Sequence, residues 1–229
     1  MTSLPLGTIK NYNVQQLREE SPFVFTILNL TNSLTNLFLG AVAMNYFVYA
    51  NAVQLNYVSQ HIYLCVFGYV ILMPQAILSI NIHTGWARAF SCENKKRAIH
   101  YILQLGGSML GLAGCTKIMA VHSRTFYRDM PAHAYLGLFV MLLTILNLIG
   151  GVVNLNSSKI CLKKNFLKIA HSTLGFLTII FAFTAMLLPA KGNIGDYYNS
   201  TNEILFLCLV IISVILILAS PIMSARKLV

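Results

Sequence analysis

The sequence predicts an all-α membrane protein with six transmembrane helices. Of its 229 residues, 57% are hydrophobic and only 10% are charged, and the mean hydropathy is +0.70, which is too apolar for a soluble domain of this length. Apolar runs of about 20 residues, enough to cross a hydrocarbon core of about 30 Å, occur six times. They lie near residues 26–48, 58–80, 98–120, 132–154, 168–189 and 203–224.

The segments outside these runs are short, and no separate soluble domain fits between the runs. Residues 1–24 are expected to form a cytoplasmic N-terminal segment, residues 25–225 a transmembrane domain, and residues 226–229 a cytoplasmic tail. Residues 1–21 are polar, and the first run is long enough to span the membrane. We therefore expect the first span to be its own insertion signal rather than a cleaved signal peptide.

The basic residues are distributed unequally between the two sides of the six spans. If the N-terminus, the loops after spans two and four, and the C-terminus share a side, that side holds twelve lysines and arginines and the other side holds three. Cytoplasmic segments carry such an excess, so both termini are predicted to be cytoplasmic. The net charge of +10 therefore indicates topology, and no nucleic-acid partner is expected.

Four of the six histidines open a predicted span. His61 and His133 open spans two and four at the non-cytoplasmic face, so they share one level. His100 and His171 open spans three and five at the cytoplasmic face and share the opposite level. The sequence thus places one pair of histidines in each leaflet, drawn from alternate helices of a four-helix unit.

Small side chains dominate the helix face below each histidine, at positions i+4, i+7 and i+11. They are Cys65, Gly68 and Leu72 below His61; Gln104, Gly107 and Gly111 below His100; Gly137, Val140 and Thr144 below His133; and Gly175, Thr178 and Ala182 below His171. One interpretation is close helix packing, for which small residues are the usual device in membranes. That interpretation accounts for the glycines but not for four histidines at matching depths, because a buried imidazole without a partner is costly in lipid.

A haem in each leaflet accounts for both the histidines and the small residues. Zinc would want four protein ligands, or three and a water, whereas each leaflet offers two. Haem iron takes two axial imidazoles from opposite helices, and its flat macrocycle needs room between them. Two occupied axial positions favour electron transfer over oxygen activation, so spans two to five are predicted to form a four-helix core around two haems.

With six spans, four histidines on spans two to five, and spacings of 39, 33 and 38 residues between them, the chain resembles the cytochrome b561 family over roughly residues 25–225. The resemblance is to short members with little beyond that domain. It implies two b haems, one held by His100 and His171 and the other by His61 and His133, and a homodimer. It also implies that cytoplasmic ascorbate supplies single electrons, which pass to monodehydroascorbate or a ferric chelate on the far side.

The resemblance also implies a substrate-contacting histidine on the non-cytoplasmic side, a little before the ligand on span four. His122, eleven residues before His133, matches that place, and Arg124 and Arg128 in the same loop are suited to hold an anionic chelate or a haem propionate. An ordinary interfacial loop is the alternative.

On the cytoplasmic side, three basic residues stand three or four positions before a histidine and are candidates to attract ascorbate: Lys96, Arg97 and Lys168. Their positions differ from those in better-studied members of the family. The alternative is that they contact only water and lipid headgroups, as positive-inside residues do.

Two other functions are compatible with these histidines: a histidine-lined transporter or channel, and a non-catalytic haem-binding membrane protein. All six acidic residues lie in loops or at span ends, which disfavours a coupled transporter, because such proteins commonly use intramembrane carboxylates. The five cysteines form no C-x-x-C, so neither a disulfide framework nor a thiol redox centre is predicted. An endomembrane (ER or vesicle) and the plasma membrane both stay open as locations.

Overall fold

The computed structural model describes residues 22–53, 56–80, 93–121, 131–156, 164–190 and 200–225. These residues form long helices and no strand. The helices are α1 (Pro22–Ala52), α2 (Tyr57–Ile80), α3 (Glu93–Val121), α4 (Ala132–Leu155), α5 (Lys164–Ala190) and α6 (Ser200–Ala225).

The first five helices each contain a stretch long and apolar enough to cross a membrane. These stretches are Thr26–Ala52, Tyr57–Ile80, Lys95–Val121, Ala132–Leu155 and Asn165–Leu188. Helix α6 contributes a shorter apolar stretch, Ile204–Ala219, so the sixth crossing stays a prediction. The protein is therefore an all-helical, multi-pass integral membrane protein.

Helix α2 begins at a capping box and changes its winding halfway along. The Asn56 side chain accepts hydrogen bonds from the backbone N–H groups of Val58 and Ser59, and the Ser59 hydroxyl accepts one from the Asn56 N–H. The α-helical turns of Tyr57–Cys65 are followed by a π-helical segment, Val66–Leu72, and by α-helical turns again in Met73–Ile80. The segment ends just before Pro74, which has no N–H and crowds the carbonyl four residues earlier.

The helices pack in antiparallel neighbours, with α2 along α3 and α4 along α5, while α1 packs on α2 and α6. A buried apolar cluster contains residues from every helix, among them Val42, Val70, Phe183 and Ile217. The Tyr46 hydroxyl on α1 donates to the Met186 carbonyl on α5 at 2.6 Å, which ties the outer helix to the inner ones.

Glycines bring α2 and α3 into backbone contact. A Cβ added to Gly68 would lie 2.6 Å from the Gly107 carbonyl oxygen and 2.7 Å from the Gly111 nitrogen. A Cβ on Gly107 would in turn lie 3.0 Å from the Gly68 oxygen. Because backbone atoms on two packed helices cannot yield locally, the two helices approach this closely only where neither carries a side chain.

Gly68→Ala is expected to lower the melting temperature of the purified protein in detergent, because the new methyl group forces α2 and α3 apart. The cost should be about 1–3 kcal/mol, as for other overpacked sites. Gly40→Ala on α1 is the matched control, since nothing lies within 4 Å of its Cβ position, and it should be neutral or slightly stabilising. Equal melting temperatures for the two variants would contradict this account of the contact.

Candidate functional site

The four histidines that open spans lie as two facing pairs inside the bundle. The ring centroids of His61 on α2 and His133 on α4 are 6.1 Å apart, with ring planes at 85°. Those of His100 on α3 and His171 on α5 are 6.2 Å apart, with planes at 87°. These are the two pairs in which the sequence analysis grouped the residues. Binding of iron by them stays a prediction.

The ring separation fits a single metal ion between each pair. A metal–nitrogen bond of about 2.0–2.1 Å, plus about 1.1 Å from that nitrogen to the centre of an imidazole ring, puts two opposed ring centres about 6.3 Å apart. The measured separations are 6.1 and 6.2 Å. At these distances and angles the rings of each pair meet edge to face, and an ion bound by one nitrogen of each ring would hold both.

Three of the rings are fixed by a hydrogen bond from Nδ1 to a backbone carbonyl on the neighbouring helix. The acceptors lie at 2.9 Å for His61 (Gly114 O), 2.8 Å for His100 (Ala76 O) and 2.7 Å for His133 (Ala185 O). An imidazole that donates through Nδ1 keeps its free lone pair on Nε2. This arrangement, a second-shell carbonyl that sets the tautomer and orients the ring, is typical of metal-binding histidines.

The bonds of His61 and His100 are reciprocal and fix the register of α2 against α3. His61 on α2 reaches a carbonyl near the end of α3, and His100 at the start of α3 reaches a carbonyl near the end of α2. The fourteen residues from His100 to Gly114 correspond to about 21 Å at a rise of 1.5 Å per residue. The same spacing separates His171 from Ala185 on α5, so two independent helices give the same distance between the pairs.

The fourth histidine is held less tightly. Nδ1 of His171 is buried and has no hydrogen-bond partner among the described residues, although the ring lies near the Asn147 backbone carbonyl. The side-chain oxygen of Asn147, a residue that is 3% exposed, is also without a partner there. The Asn147 side chain also lines a cleft beside this ring, so its oxygen is available to a group bound there.

A cleft with a cavity volume of about 170 Å³ opens beside His100 and His171. Apolar side chains from α2 and α5 line most of it, and the remaining polar groups come from Gln104, Asn147 and Ser172. A largely apolar lining with a few polar groups is typical of cofactor pockets. The cleft, the ring separation and the unsatisfied atoms together fit a haem at this end.

The small residues below the histidines fall into two groups. Gly107 and Gly111 face α2: Cβ atoms on them would lie 2.8 Å from Met73 Cγ and 2.5 Å from the Tyr69 ring. For these two, close helix packing is the correct interpretation, and they do not provide room for a macrocycle. Gly175 lines the cleft, and a Cβ on Gly137 would have nothing within 4 Å, so these two leave space on the histidine side of their helices.

A layer of buried hydroxyl groups lies between the two histidine pairs, and the sequence analysis missed its role. The Tyr69 hydroxyl on α2 is 3.1 Å from Thr144 Oγ1 on α4, and that threonine donates to the Val140 carbonyl at 2.8 Å. Ser108 on α3 and Thr178 on α5 are also fully buried. A count of turns from the histidines finds these positions, but single hydroxyl residues are common in membrane helices and gave no distinct signal.

Two cysteines next to His61 are the second feature that the sequence analysis missed. Cys65 Sγ lies 3.6 Å from His61 Nδ1 and 3.8 Å from Cys115 Sγ. Cys65 is one turn below His61, and Cys115 stands fifteen residues after His100, which is the depth of His61 on the antiparallel helix. Matching of depths, which paired the histidines, would also have found the cysteines.

The candidate substrate residues divide between described and undescribed parts of the chain. Lys96 is partly buried, and Arg97 and Lys168 are exposed. All three lie within about one turn of His100 or His171 along α3 and α5, at the same end of the bundle as the cleft. The acceptor-side candidates, His122, Arg124 and Arg128, lie outside the described residues, as does His83.

The fold and these pairs define a class of protein: a multi-pass helical membrane protein with two buried, facing histidine pairs at opposite ends of four helices. The sequence matches the family model of eukaryotic cytochrome b561 over residues 60–193, more than half of the chain and all four of these histidines. The chain belongs to the cytochrome b561 family. No curated protein matches it. Family membership makes it a haem b-binding transmembrane oxidoreductase that transfers electrons.

Gly175→Leu is expected to lower the haem content of the purified protein toward half, because the branched side chain fills the cleft beside His171. Haem per chain is measured as the pyridine haemochrome. Ala113→Leu is the control, since Ala113 is exposed on the outside of α3 and its substitution should leave haem content unchanged. Equal loss of haem in both variants would show that the cleft does not hold the macrocycle.

Proposed function

We propose that the protein carries electrons across the membrane from cytoplasmic ascorbate to monodehydroascorbate or a ferric chelate on the other side, through two b haems. The observation that carries the proposal is the geometry of the histidines in a chain of this family. Two pairs with ring separations of 6.1 and 6.2 Å stand at opposite ends of α2 to α5, about 21 Å apart by helical rise. On this proposal all six helices cross the membrane and α2 to α5 enclose both haems.

His100 and His171 would hold the cytoplasmic haem, and His61 and His133 the other. A haem held by each pair would supply one-electron redox chemistry. The chain keeps the rings in place through the Nδ1 bonds to Gly114, Ala76 and Ala185. The apolar helix faces around the two pairs would keep water away from both sites.

The orientation rests on the basic residues. The side with His100 and His171 carries twelve of the lysines and arginines, which favours its placement in the cytoplasm. Lys96, Arg97 and Lys168 lie three or four residues before His100 or His171, at the same end of the bundle as the cleft, and would attract the ascorbate monoanion. An open cleft at the donor end supports entry of an electron from a small soluble reductant.

On the opposite side, His122, Arg124 and Arg128 are proposed to bind the acceptor. They precede His133 by eleven, nine and five residues, so the connection that contains them reaches the membrane at the end of the bundle where His61 and His133 lie. Two guanidinium groups and an imidazole suit an anionic ferric chelate or monodehydroascorbate. This makes the protein a ferrireductase or monodehydroascorbate reductase.

A homodimer is proposed as the assembled form. Helix α4 is the least buried of the five candidate spans, with 22% of its apolar window inside the protein, and it exposes large side chains such as Phe139, Leu142 and Ile149. Such a face suits contact with lipid or with a second copy of the chain.

Replacing His100 or His171 by Ala is expected to remove the cytoplasmic haem alone, because the remaining histidine of the pair then lacks the second axial bond. The pyridine haemochrome should fall from two haems per chain toward one. His61→Ala and His133→Ala should have the same effect on the other haem. If each of the four variants kept both haems, the pairing would be wrong.

His122→Ala is expected to slow acceptor reduction without affecting the haems. Ascorbate is enclosed with the protein in sealed vesicles, on the side that carries His100 and His171, and an impermeant ferric chelate is added outside at a subsaturating concentration. Transfer to the chelate should slow while both haem bands and the rate of their reduction by ascorbate stay near the wild-type values.

His83→Ala is the control for this assay, since His83 has no part in the proposed path. Loss of a haem in the His122 variant, or unchanged chelate reduction, would remove His122 from the mechanism. Haems that ascorbate fails to reduce in the wild-type protein would instead indicate a non-catalytic haem protein.

A further inference from the structure

Three soft donor atoms converge between α2 and α3 beside the His61 ring. They are Cys65 Sγ, Cys115 Sγ and His61 Nδ1, and all lie within 4.8 Å of one another. No other group of three metal-ligating side chains this compact occurs among the described residues. Cys115 is buried, Cys65 is partly buried, and neither residue has a role in the electron path proposed above.

The distances between these atoms match the edges of a tetrahedral metal site. Two thiolates at about 2.3 Å from a tetrahedral ion lie about 3.8 Å apart, and a thiolate and an imidazole nitrogen at about 2.0–2.1 Å lie about 3.6 Å apart. The structure has 3.8 Å between Cys65 Sγ and Cys115 Sγ, and 3.6 Å between Cys65 Sγ and His61 Nδ1. The third edge, from Cys115 Sγ to His61 Nδ1, is at most 4.8 Å, so an ion could bind all three atoms after small side-chain shifts.

We propose that Cys65, Cys115 and Nδ1 of His61 form a binding site for a thiophilic d¹⁰ metal ion of the Zn²⁺ or Cu⁺ class. Thiolate and imidazole ligands select these ions over Mg²⁺ or Ca²⁺. Binding turns the two thiols into thiolates, which release two protons to solvent. Their two negative charges offset a divalent ion, so little net charge is placed in the low dielectric of the membrane.

The third ligand links the site to the ring that is proposed to hold the non-cytoplasmic haem. Nδ1 now donates to the Gly114 carbonyl at 2.9 Å, and this proton must leave before Nδ1 can bind an ion. On a haem-free ring the proton moves to Nε2. If Nε2 also held a haem iron, binding of the ion at Nδ1 would release a third proton to solvent.

The backbone around the cysteines keeps the site small. A Cβ on Gly114 would lie 2.8 Å from Cys65 Sγ and 3.2 Å from the Cys65 nitrogen, so even alanine at this position would displace the thiol. Gly106, two turns earlier on α3, is a matched position without this contact, because its Cβ would lie 3.7 Å from Leu72 Cδ1. Glycine at position 114 thus keeps Cys65 within bonding distance of a shared ion.

The test uses Cd²⁺ as the probe and the purified, full-length, haem-loaded protein in detergent. The background is a C92S/C161S/C208S variant, in which only Cys65 and Cys115 remain. One Cd²⁺ per chain should bind with the ultraviolet charge-transfer absorption of cadmium thiolate. Adding C65S or C115S should weaken binding by about tenfold or more, and adding Gly114→Ala should weaken it while Gly106→Ala does not.

The proposal would be overturned if the background variant showed no such absorption, or if it bound Cd²⁺ equally well with and without C65S or C115S. Cys65 and Cys115 would then be two hydrogen-bonded thiols without a metal. The visible haem spectrum is recorded in the same samples, so the metal site and the haem are read separately. His133→Ala should lose the haem on that side and still bind Cd²⁺, because His61 and both thiols remain. Loss of Cd²⁺ binding in that variant would mean that no independent metal site exists.

Discussion

A neutral imidazole inside a bilayer needs a partner for each of its two ring nitrogens, and this requirement determines how the helices of the bundle pack. Nδ1 of three histidines is bonded to a carbonyl on the next helix at 2.7–2.9 Å, and Nε2 is left for a partner between the helices. Because the bonds of His61 and His100 run in opposite senses between α2 and α3, they fix the register of these two helices at both ends. The glycines between them allow that register at backbone contact. Depth, register and pairing of the rings thus follow from one chemical need.

Hydropathy and depth were enough to predict the helical membrane fold and the histidine levels, because both depend on position along an axis. The rotation of each helix about its axis was not predictable in the same way. The residues at i+4, i+7 and i+11 do share a face, but on α2 and α3 that face meets the other helix. Gly107 therefore packs on Met73 and Gly68 rather than beside a macrocycle. The neighbour that a helix face contacts depends on the arrangement of the whole bundle, and the periodicity of one helix does not identify that neighbour.

The contact between Cys65 and Cys115 was also not predicted from the sequence, because it depends on how two helices are aligned. Cys65 and Cys115 are fifty residues apart in sequence and meet because α2 and α3 are antiparallel with a register set by two histidine bonds. The π-helical segment Val66–Leu72 is a further departure from regular geometry. Pro74 accounts for it in the structure, but a proline in the sequence does not by itself predict a π-helix. The residues assigned to ascorbate lie in the first turns of α3 and α5, and those assigned to the acceptor lie outside the described residues, so helical periodicity did not place either group.

The hydroxyl layer between the two ends bears on what can cross the membrane. Thr144 donates to the Val140 carbonyl at 2.8 Å, so the Tyr69 hydroxyl, 3.1 Å away, must be the donor in their contact. This chain of hydrogen bonds ends on a backbone oxygen, which accepts a hydrogen bond but has no proton to pass on. Fully buried apolar residues such as Val70 and Ile179 surround the same depth. A relay for protons would need a titratable group or water in this layer, and the described helices place neither an acid nor a histidine there. Electrons need no such relay, so the middle of the bundle suits an electron carrier better than a proton path.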